Sequence, residues 1–215
     1  MTEQSDRWGN DFGEEYTHRN PNTPDEMQAL YRTRFGVERT AMNEDFLGGL
    51  DKSMRILEVG CNVGTQLNLL SRMGFENLYG IEINPVAIER SHEVNKGLPI
   101  QVVCANALGI PFNDGYFDLV YTSGVLIHIS PPDIAGVMRE MARCSSRHIW
   151  GFEYYTPEGH IEIPYRGHSN MLWKTDFARL FERTCPEFKL VRETFHPYSE
   201  DPELVDQMYL LDKEG

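Results

Sequence analysis

The stretch Arg55-Ile-Leu-Glu-Val-Gly-Cys-Asn-Val-Gly64 decides the fold of this 215-residue chain. Its first half is a short apolar run, which predicts a buried strand over residues 55–59. Its second half contains two glycines, and Leu67, Leu70 and Met73 then recur at the spacing of one helix face. A strand that passes through a tight turn into a helix is the opening of a βαβ unit. The sequence therefore predicts an α/β fold.

The alternation of strands and helices continues along the chain. Further strands are predicted at 77–83, 100–104, 117–122, 147–153, 188–195 and 205–211, and helices are predicted to begin at Asn84-Pro85, Ser130 and Thr175. Such an alternation requires right-handed crossovers, because consecutive strands then run parallel. We expect a Rossmann-like, seven-stranded, mostly parallel sheet with helices on both faces, closed by a pair of strands.

The chain is expected to form one domain with a helical cover. Residues 1–50 predict an irregular start followed by helices at about 25–35 and 37–47, and we interpret them as a cap or lid on a main domain at 51–215. Trp8, Phe12 and Tyr16 recur every four residues, which indicates one helix with an apolar stripe. As a lid, this segment would exclude water from a site through Tyr16 and Arg19.

Composition excludes several classes of function. The net charge is −13, which argues against nucleic acid as a partner. No apolar run is long enough for a membrane span, and the N-terminal residues have no secretion-signal pattern, so we expect a cytoplasmic protein without a membrane partner. The four cysteines are far apart in the sequence and favour reduced thiols over a disulfide or zinc framework. His160, Glu162 and His168 match no standard ligand spacing, and we expect no metal.

The acidity is concentrated at the two ends of the chain. Residues 1–26 hold seven acids and two bases, and residues 200–215 hold six acids and one base. The segment between them is nearly neutral. The bulk charge therefore does not forbid an anionic acceptor molecule.

The first βα turn is the predicted ligand site, because ligands of open α/β sheets bind beyond the carboxyl ends of the strands. Glu82 follows Gly60 by 22 residues, a spacing at which an acidic side chain accepts ribose hydroxyls. The dinucleotide fingerprint is absent, since Asn62 and Thr65 replace its second and third glycines. We therefore expect a nucleoside ligand without a pyrophosphate, with Asn62 in a left-handed conformation.

These residues resemble class I S-adenosylmethionine-dependent methyltransferases, in which an acid-x-Gly-x-Gly-x-Gly pattern ends the first strand. The resemblance covers about residues 54–153 and continues through the segments at 106–112, 117–120 and 124–128. It implies a methionine site at Glu58, Gly60, Cys61, Asn62 and Gly64, a ribose contact at Glu82, and an adenine contact at Asn106 and Ala107, with Ile83 and Ser123 in the same cofactor site. Asn62 replaces a glycine of the family pattern and Asn106 replaces the usual Asp.

The acceptor site is expected beyond the fourth and fifth strands. Histidine is the best-matched base near neutral pH, so His128 and His168 are predicted to be catalytic. Glu153 and Tyr154, at the end of the fifth strand, are the other predicted catalytic residues. The predicted substrate-binding residues are Tyr155, Tyr165, Arg166 and Lys174, together with Tyr16 and Arg19. Two alternatives stay open: His128 packs structurally, and Arg166 lies on the surface.

A narrower resemblance involves nearly the whole chain. The strings Phe12-Gly-x-x-Tyr-x-x-Arg-Asn20, Glu153-Tyr-Tyr155, Tyr165-Arg-Gly-His168 and Lys174-Thr-Asp-Phe-Ala178 are similar to methylases associated with pseudaminic acid biosynthesis. That resemblance implies a sugar or nucleotide-sugar acceptor, methylated on a hydroxyl or an amino group. A methyltransferase for another small metabolite and a non-catalytic module that binds the cofactor are the alternatives.

Overall fold

The computed structural model describes residues 2–214 of the chain. Within this range the helices are α1 (Glu3–Gly9), α2 (Asp11–Arg19), α3 (Pro24–Phe35), α4 (Arg39–Leu47), α5 (Thr65–Arg72), α6 (Pro85–Val94), α7 (Pro131–Cys144) and α8 (Phe177–Thr184). The strands are β1 (Arg55–Val59), β2 (Asn77–Glu82), β3 (Ile100–Cys104), β4 (Phe117–Ser123), β5 (Ser145–Tyr154), β6 (Ile161–Glu162), β7 (Trp173–Lys174), β8 (Phe188–Pro197) and β9 (Val205–Lys213).

Seven of these strands form one mostly parallel sheet, which confirms the predicted fold. The strand order is β3-β2-β1-β4-β5-β9-β8. Strand β2 pairs in parallel with β1 and β3, and β4 pairs in parallel with β5. Strand β9 is antiparallel to both β5 and β8, so the predicted closing pair is present. The backbone contacts divide the chain into two compact units after Asn106. The expected boundary at residue 50 lies inside the first unit.

Helix α5 of the first unit is buried over most of its length. Every residue of α5 from Thr65 to Leu70 is buried, and Gly74, in a left-handed conformation (φ 92°), follows its end. Gly80 of β2 has no side chain where the turn after β1 packs: a Cβ there would lie 2.5 Å from Cys61 Sγ. This close approach brings the turn against β2.

The second unit places α7 against β4 and β5 and α8 against β8 and β9. The apolar face of α7 is buried through Ile134, Val137, Met138 and Met141. Helix α8 is capped by Asp176 and not by Thr175, because the Asp176 carboxylate accepts the backbone N–H of Arg179 at 2.9 Å. Thr175 is buried instead.

Two segments have more regular structure than the sequence predicts. The N-terminal residues are helical and not irregular, but the single predicted helix is broken at Asn10, which ends α1 and precedes α2. The connection over 154–173 contains a small antiparallel sheet of β6 and β7. Two-residue strands give too short an alternating pattern to be found by periodicity.

Candidate functional site

The turn after β1 has the backbone conformation that the sequence predicts. Gly60, Asn62 and Gly64 all have positive φ angles, of 72°, 48° and 72°. Gly60 and Cys61 donate their backbone N–H groups to the carbonyl of Ile81, at 2.8 and 3.0 Å. A Cβ at Gly64 would lie 2.9 Å from Asn95 Nδ2, so a side chain there has no room. The turn is therefore a tight backbone cradle at the end of β1.

Glu82 lies at the end of the neighbouring strand and contacts this turn. Its Oε2 accepts the N–H of Asn62 at 2.8 Å, and its Oε1 accepts the N–H groups of Ile83 and Asn84 at 2.7 and 2.9 Å. Burial raises the pKa of Glu82, while these backbone hydrogen bonds oppose the shift. The structure thus brings together the predicted ribose contact and the predicted glycine turn.

Glu58 lies in β1 just before the same turn, and Cys61 lies in the turn. Both residues are buried. Glu58 is 3% exposed and Cys61 is 5% exposed. Burial, followed by the nearby Glu58 and Glu82 carboxylates, raises the pKa of the Cys61 thiol well above its usual value. The thiol therefore stays protonated and does not act as a nucleophile.

The remaining predicted cofactor residues fall in both units. Asn106 follows β3 in the first unit, and its Nδ2 donates to Ser5 Oγ at 2.9 Å. Ile83 is also in the first unit, where Gly9 packs against it. Ala107 and Ser123 belong to the second unit, and Ser123 ends β4.

The N-terminal helices contact residues of the first unit that are predicted to bind the cofactor. Trp8 contacts Phe12 and Tyr16 edge to face, with ring centroids 4.9 and 5.2 Å apart. Arg19 forms an ion pair with Glu15 at 3.5 Å. The residue that reaches the turn is Thr17, whose hydroxyl lies 3.0 Å from Asn62 Oδ1. Sequence reasoning missed Thr17, because a lone threonine on a helix carries no signal except its spacing of four from the buried Gly13.

His128 lies in a short 3₁₀ turn over Leu126–His128 in the second unit. Its Nδ1 is 2.8 Å from the Met171 carbonyl oxygen. Because a carbonyl only accepts, Nδ1 carries the proton and Nε2 carries the lone pair. Burial lowers the pKa of His128 to about 4, so the imidazole is neutral at physiological pH. The Tyr165 ring lies 5.2 Å from the imidazole.

Glu153 is 1% exposed and supports the same 3₁₀ turn. Its carboxylate accepts the N–H of Val125 at 3.2 Å and of Ile127 at 3.4 Å. Burial raises the pKa of Glu153 to about 7, and the hydrogen bonds from Thr122 and the turn oppose this shift. The contacts of Glu153 are therefore with the backbone segment that carries His128.

Tyr165 and His168 are the first and last residues of the four-residue turn at the tip of a hairpin. Each donates its backbone N–H to the carbonyl of the other, at 3.0 and 2.9 Å. Between them, Arg166 and Gly167 have φ angles of 51° and 81°, the pattern of a type I′ turn. Arg166, Gly167 and His168 are exposed, so the hairpin presents a guanidinium and an imidazole at its tip.

The other predicted acceptor residues lie at different places in the second unit. Lys174 lies at the hairpin base, where β7 pairs with β6. Tyr154 ends β5 opposite Asp206 of β9, and the Tyr155 ring lies 4.7 Å from the Phe195 ring. Burial, then the nearby Asp176 and Glu193 carboxylates, raises the pKa of Tyr155.

Among residues 2–214, no group of three or more His, Cys, Asp and Glu side chains is arranged to hold a metal ion. A search of the same residues for helices able to cross a bilayer finds none with the required length and apolarity.

Comparisons with known proteins show what part of the chain is similar to. Residues 57–148 match the family model described as a methyltransferase domain. Cycloartenol-C-24-methyltransferase 1 of Oryza sativa subsp. japonica is 29% identical over 113 residues, which cover 49% of this chain and 32% of that protein. The chain spans about a third of the length of the curated relatives it matches.

Solved structures show the same fold across most of the chain. The PH0226 protein of Pyrococcus horikoshii has a TM-score of 0.70 at 18% identity, covering 93% of this chain and 99% of that one. The 1,6-didemethyltoxoflavin-N1-methyltransferase of Burkholderia thailandensis, solved with S-adenosylhomocysteine, has a TM-score of 0.65 at 12% identity, covering 82% and 76%. The narrower resemblance to pseudaminic acid methylases stays a prediction. Residues 57–148 are thus similar to a methyltransferase domain, and the chain has the fold of class I methyltransferases.

Proposed function

We propose that the chain transfers a methyl group from S-adenosylmethionine to a hydroxyl or amino group of a small polar molecule. The observation that carries this proposal is the contact between the Glu82 carboxylate and the left-handed turn at Asn62, 2.8 Å apart. A nucleoside suits this site because Gly60, which has no side chain, allows a ligand close to the backbone, and because a carboxylate accepts both ribose hydroxyls.

In this proposal, different residues of the first unit bind different parts of the cofactor. The turn from Gly60 to Gly64 holds the methionine moiety, Glu82 accepts from the ribose, and Asn106 contacts the adenine. S-adenosylmethionine supplies an electrophilic methyl group on a sulfonium sulfur. The protein supplies alignment for an in-line displacement and accepts the proton that the acceptor releases.

His168 and His128 are the proposed contacts for the acceptor's nucleophilic group. His168 stands exposed at the hairpin tip. The His128 imidazole is neutral with its lone pair on Nε2, so it suits a hydrogen bond from a hydroxyl or amine better than complete removal of a proton. Glu153 positions His128 through its hydrogen bonds to the 3₁₀ turn. Tyr154 is the last residue of the same strand, β5.

A polar acceptor with a negative group is favoured by the side chains around the hairpin. Arg166 at the tip and Lys174 at the base offer two cations, and Tyr155 and Tyr165 offer partly exposed rings. A guanidinium binds carboxylate or phosphate through paired hydrogen bonds. A nucleotide-sugar, as the narrower family resemblance implies, has both the anionic groups and the hydroxyls.

A second candidate acceptor is a sterol or another apolar ring system. The observation that favours it is the similarity to proteins named as sterol C24-methyltransferases. That match covers about half of this chain.

The test is mass spectrometry of reactions that contain purified protein, S-adenosylmethionine and an acceptor panel. The panel has a nucleotide-sugar arm, a sugar-phosphate arm and a sterol arm. We expect a gain of one methylene in a nucleotide-sugar or sugar phosphate. A product in the sterol arm alone would replace the polar acceptor with the second candidate. Tight cofactor binding without any product across the panel would favour a non-catalytic module.

A further inference from the structure

An asparagine follows each of the three parallel strands of the first unit. Asn62 comes after β1, Asn84 after β2 and Asn106 after β3. All three side chains are hydrogen bonded to residues of α1, α2 or their junction. The helix pair α1–α2 is thus fastened at the carboxyl end of every strand in this unit.

The contact at Asn62 is made by a buried hydroxyl. Thr17 is 2% exposed, and its Oγ1 lies 3.0 Å from both Asn62 Oδ1 and the Gly13 carbonyl oxygen. The hydroxyl has one proton, so it donates to one of these two acceptors at a time. Asn62 is held in its left-handed conformation between Thr17 on one side and Glu82 on the other.

The contact at Asn84 joins the helix pair to α6. Asn84 Oδ1 caps α6 by accepting the N–H groups of Val86 and Ala87. Its Nδ2 donates to the carbonyls of Trp8 and Asn10, both at 3.1 Å. One buried amide therefore fixes the junction of α1 and α2 next to Glu82.

The contact at Asn106 fastens the beginning of α1. Asn106 Nδ2 donates to Ser5 Oγ at 2.9 Å, and the Ser5 N–H donates to Thr2 Oγ1 at 3.2 Å. Asn62 and Asn106 are also two of the residues that the proposed function assigns to the cofactor.

We propose that α1–α2 forms the outer wall of the cofactor site, with Thr17 and Ser5 as positioning residues that act through Asn62 and Asn106. This inference rests on the proposed function. A ligand held by Glu82 and these asparagines leaves only when hydrogen bonds to α1–α2 open. The helix pair therefore slows the exchange of S-adenosylhomocysteine for S-adenosylmethionine.

The test measures how fast S-adenosylhomocysteine leaves the full-length protein. Labelled S-adenosylhomocysteine is bound to wild type, Thr17→Val, Thr17→Ser and Ser5→Ala, and is then chased with excess unlabelled S-adenosylmethionine. Loss of one such hydrogen bond raises the dissociation rate about fivefold. We expect this increase for Thr17→Val and Ser5→Ala, and a rate within about twofold of wild type for Thr17→Ser, which keeps the hydroxyl.

The matched control is Thr33→Val, on the exposed side of α3. Its dissociation rate is expected to equal that of wild type. If Thr17→Val and Ser5→Ala both dissociate at the wild-type rate, the inference is overturned while the proposed function stands. If wild-type protein binds no S-adenosylhomocysteine, the proposed function itself fails. Thermal unfolding of each variant separates a local effect from general loss of structure. If Thr17→Val does not fold, Ser5→Ala, which lies on the other helix of the pair, still tests the inference.

Discussion

The Glu82 carboxylate accepts the backbone N–H of Asn62 across a sequence separation of 20 residues, at 2.8 Å. This hydrogen bond joins the end of β2 to the turn after β1. A glycine-containing turn and an acidic residue are each common in α/β proteins. Here the two are in direct contact, so their polar groups lie side by side at the ends of β1 and β2. Asn62 has a φ of 48°, and in this left-handed conformation its N–H donates to the carboxylate.

Replacing His168 with alanine is expected to lower turnover without weakening cofactor binding. The hairpin is held by the backbone of Tyr165 and His168, so loss of the side chain leaves its shape unchanged. A general base contributes about 10²-fold or more, and we expect kcat to fall by at least about tenfold. Steady-state kinetics with the acceptor found in the panel, beside calorimetric titration of S-adenosylhomocysteine, measures both effects.

His92→Ala is the control for this variant, because His92 is an exposed histidine on α6. Unchanged kcat and unchanged KM for the acceptor in His168→Ala would exclude the hairpin tip from the acceptor site.

Protein stability is expected to depend on pH through Glu153. Burial raises its pKa in the folded protein from about 4.5 to about 7. Between these values the folded protein holds a proton that the unfolded chain releases, so this contribution to stability is present at low pH and lost as the pH rises. Glu153→Gln stays neutral throughout, and it should gain about 2 kcal/mol relative to wild type between pH 5 and pH 8.

Urea unfolding of wild type and Glu153→Gln at four pH values tests this expectation. The exposed Glu158, in the loop after β5, provides the matched control Glu158→Gln. If the difference in unfolding free energy between Glu153→Gln and wild type does not vary with pH, burial does not raise the pKa of Glu153 and the expectation is wrong.

Gly13→Ala is expected to loosen α1–α2 from the first unit. A Cβ at this position would lie 1.9 Å from the Trp8 carbonyl oxygen and 2.7 Å from Asn84 Nδ2. Backbone cannot yield as a flexible side chain does, so the two helices must separate, at a cost of about 1–3 kcal/mol. We expect a lower unfolding free energy and faster proteolysis between α2 and α3.

Gly49→Ala is the control, since nothing lies within 4 Å of a Cβ at Gly49. Equal protease sensitivity of the two variants would contradict the close packing of α1 on α2.

Much of the sheet could be predicted because its strands are apolar runs bounded by turn residues. β1 and β3 have the predicted limits, and Asn84 caps α6 through its side chain as expected from the Asn-Pro pair. The break between α1 and α2 could not be predicted, because Trp8, Phe12 and Tyr16 keep helical spacing across Asn10. The aromatic cluster survives the break, since Trp8 still contacts both other rings.

The conformation of the turn after β1 could be predicted better than the surroundings of His128, for a physical reason. A backbone turn such as Gly60–Gly64 requires particular residue types, so its conformation is visible in the sequence. The environment of His128 depends on the Met171 carbonyl and on burial, which no local pattern records. The same holds for Thr17, whose importance comes from the position of Asn62 in space.

The central claim is that Glu82 and the turn after β1 form an S-adenosylmethionine site, and calorimetric titration with S-adenosylhomocysteine tests it most directly. The account predicts binding of one ligand per chain by wild type and by Glu89→Ala, a control at an exposed glutamate of α6. It predicts affinity weaker by about tenfold or more for Glu82→Ala, which loses the charge-assisted hydrogen bonds to the ribose. Equal affinity of Glu82→Ala and wild type, or no binding by wild type, would contradict the account.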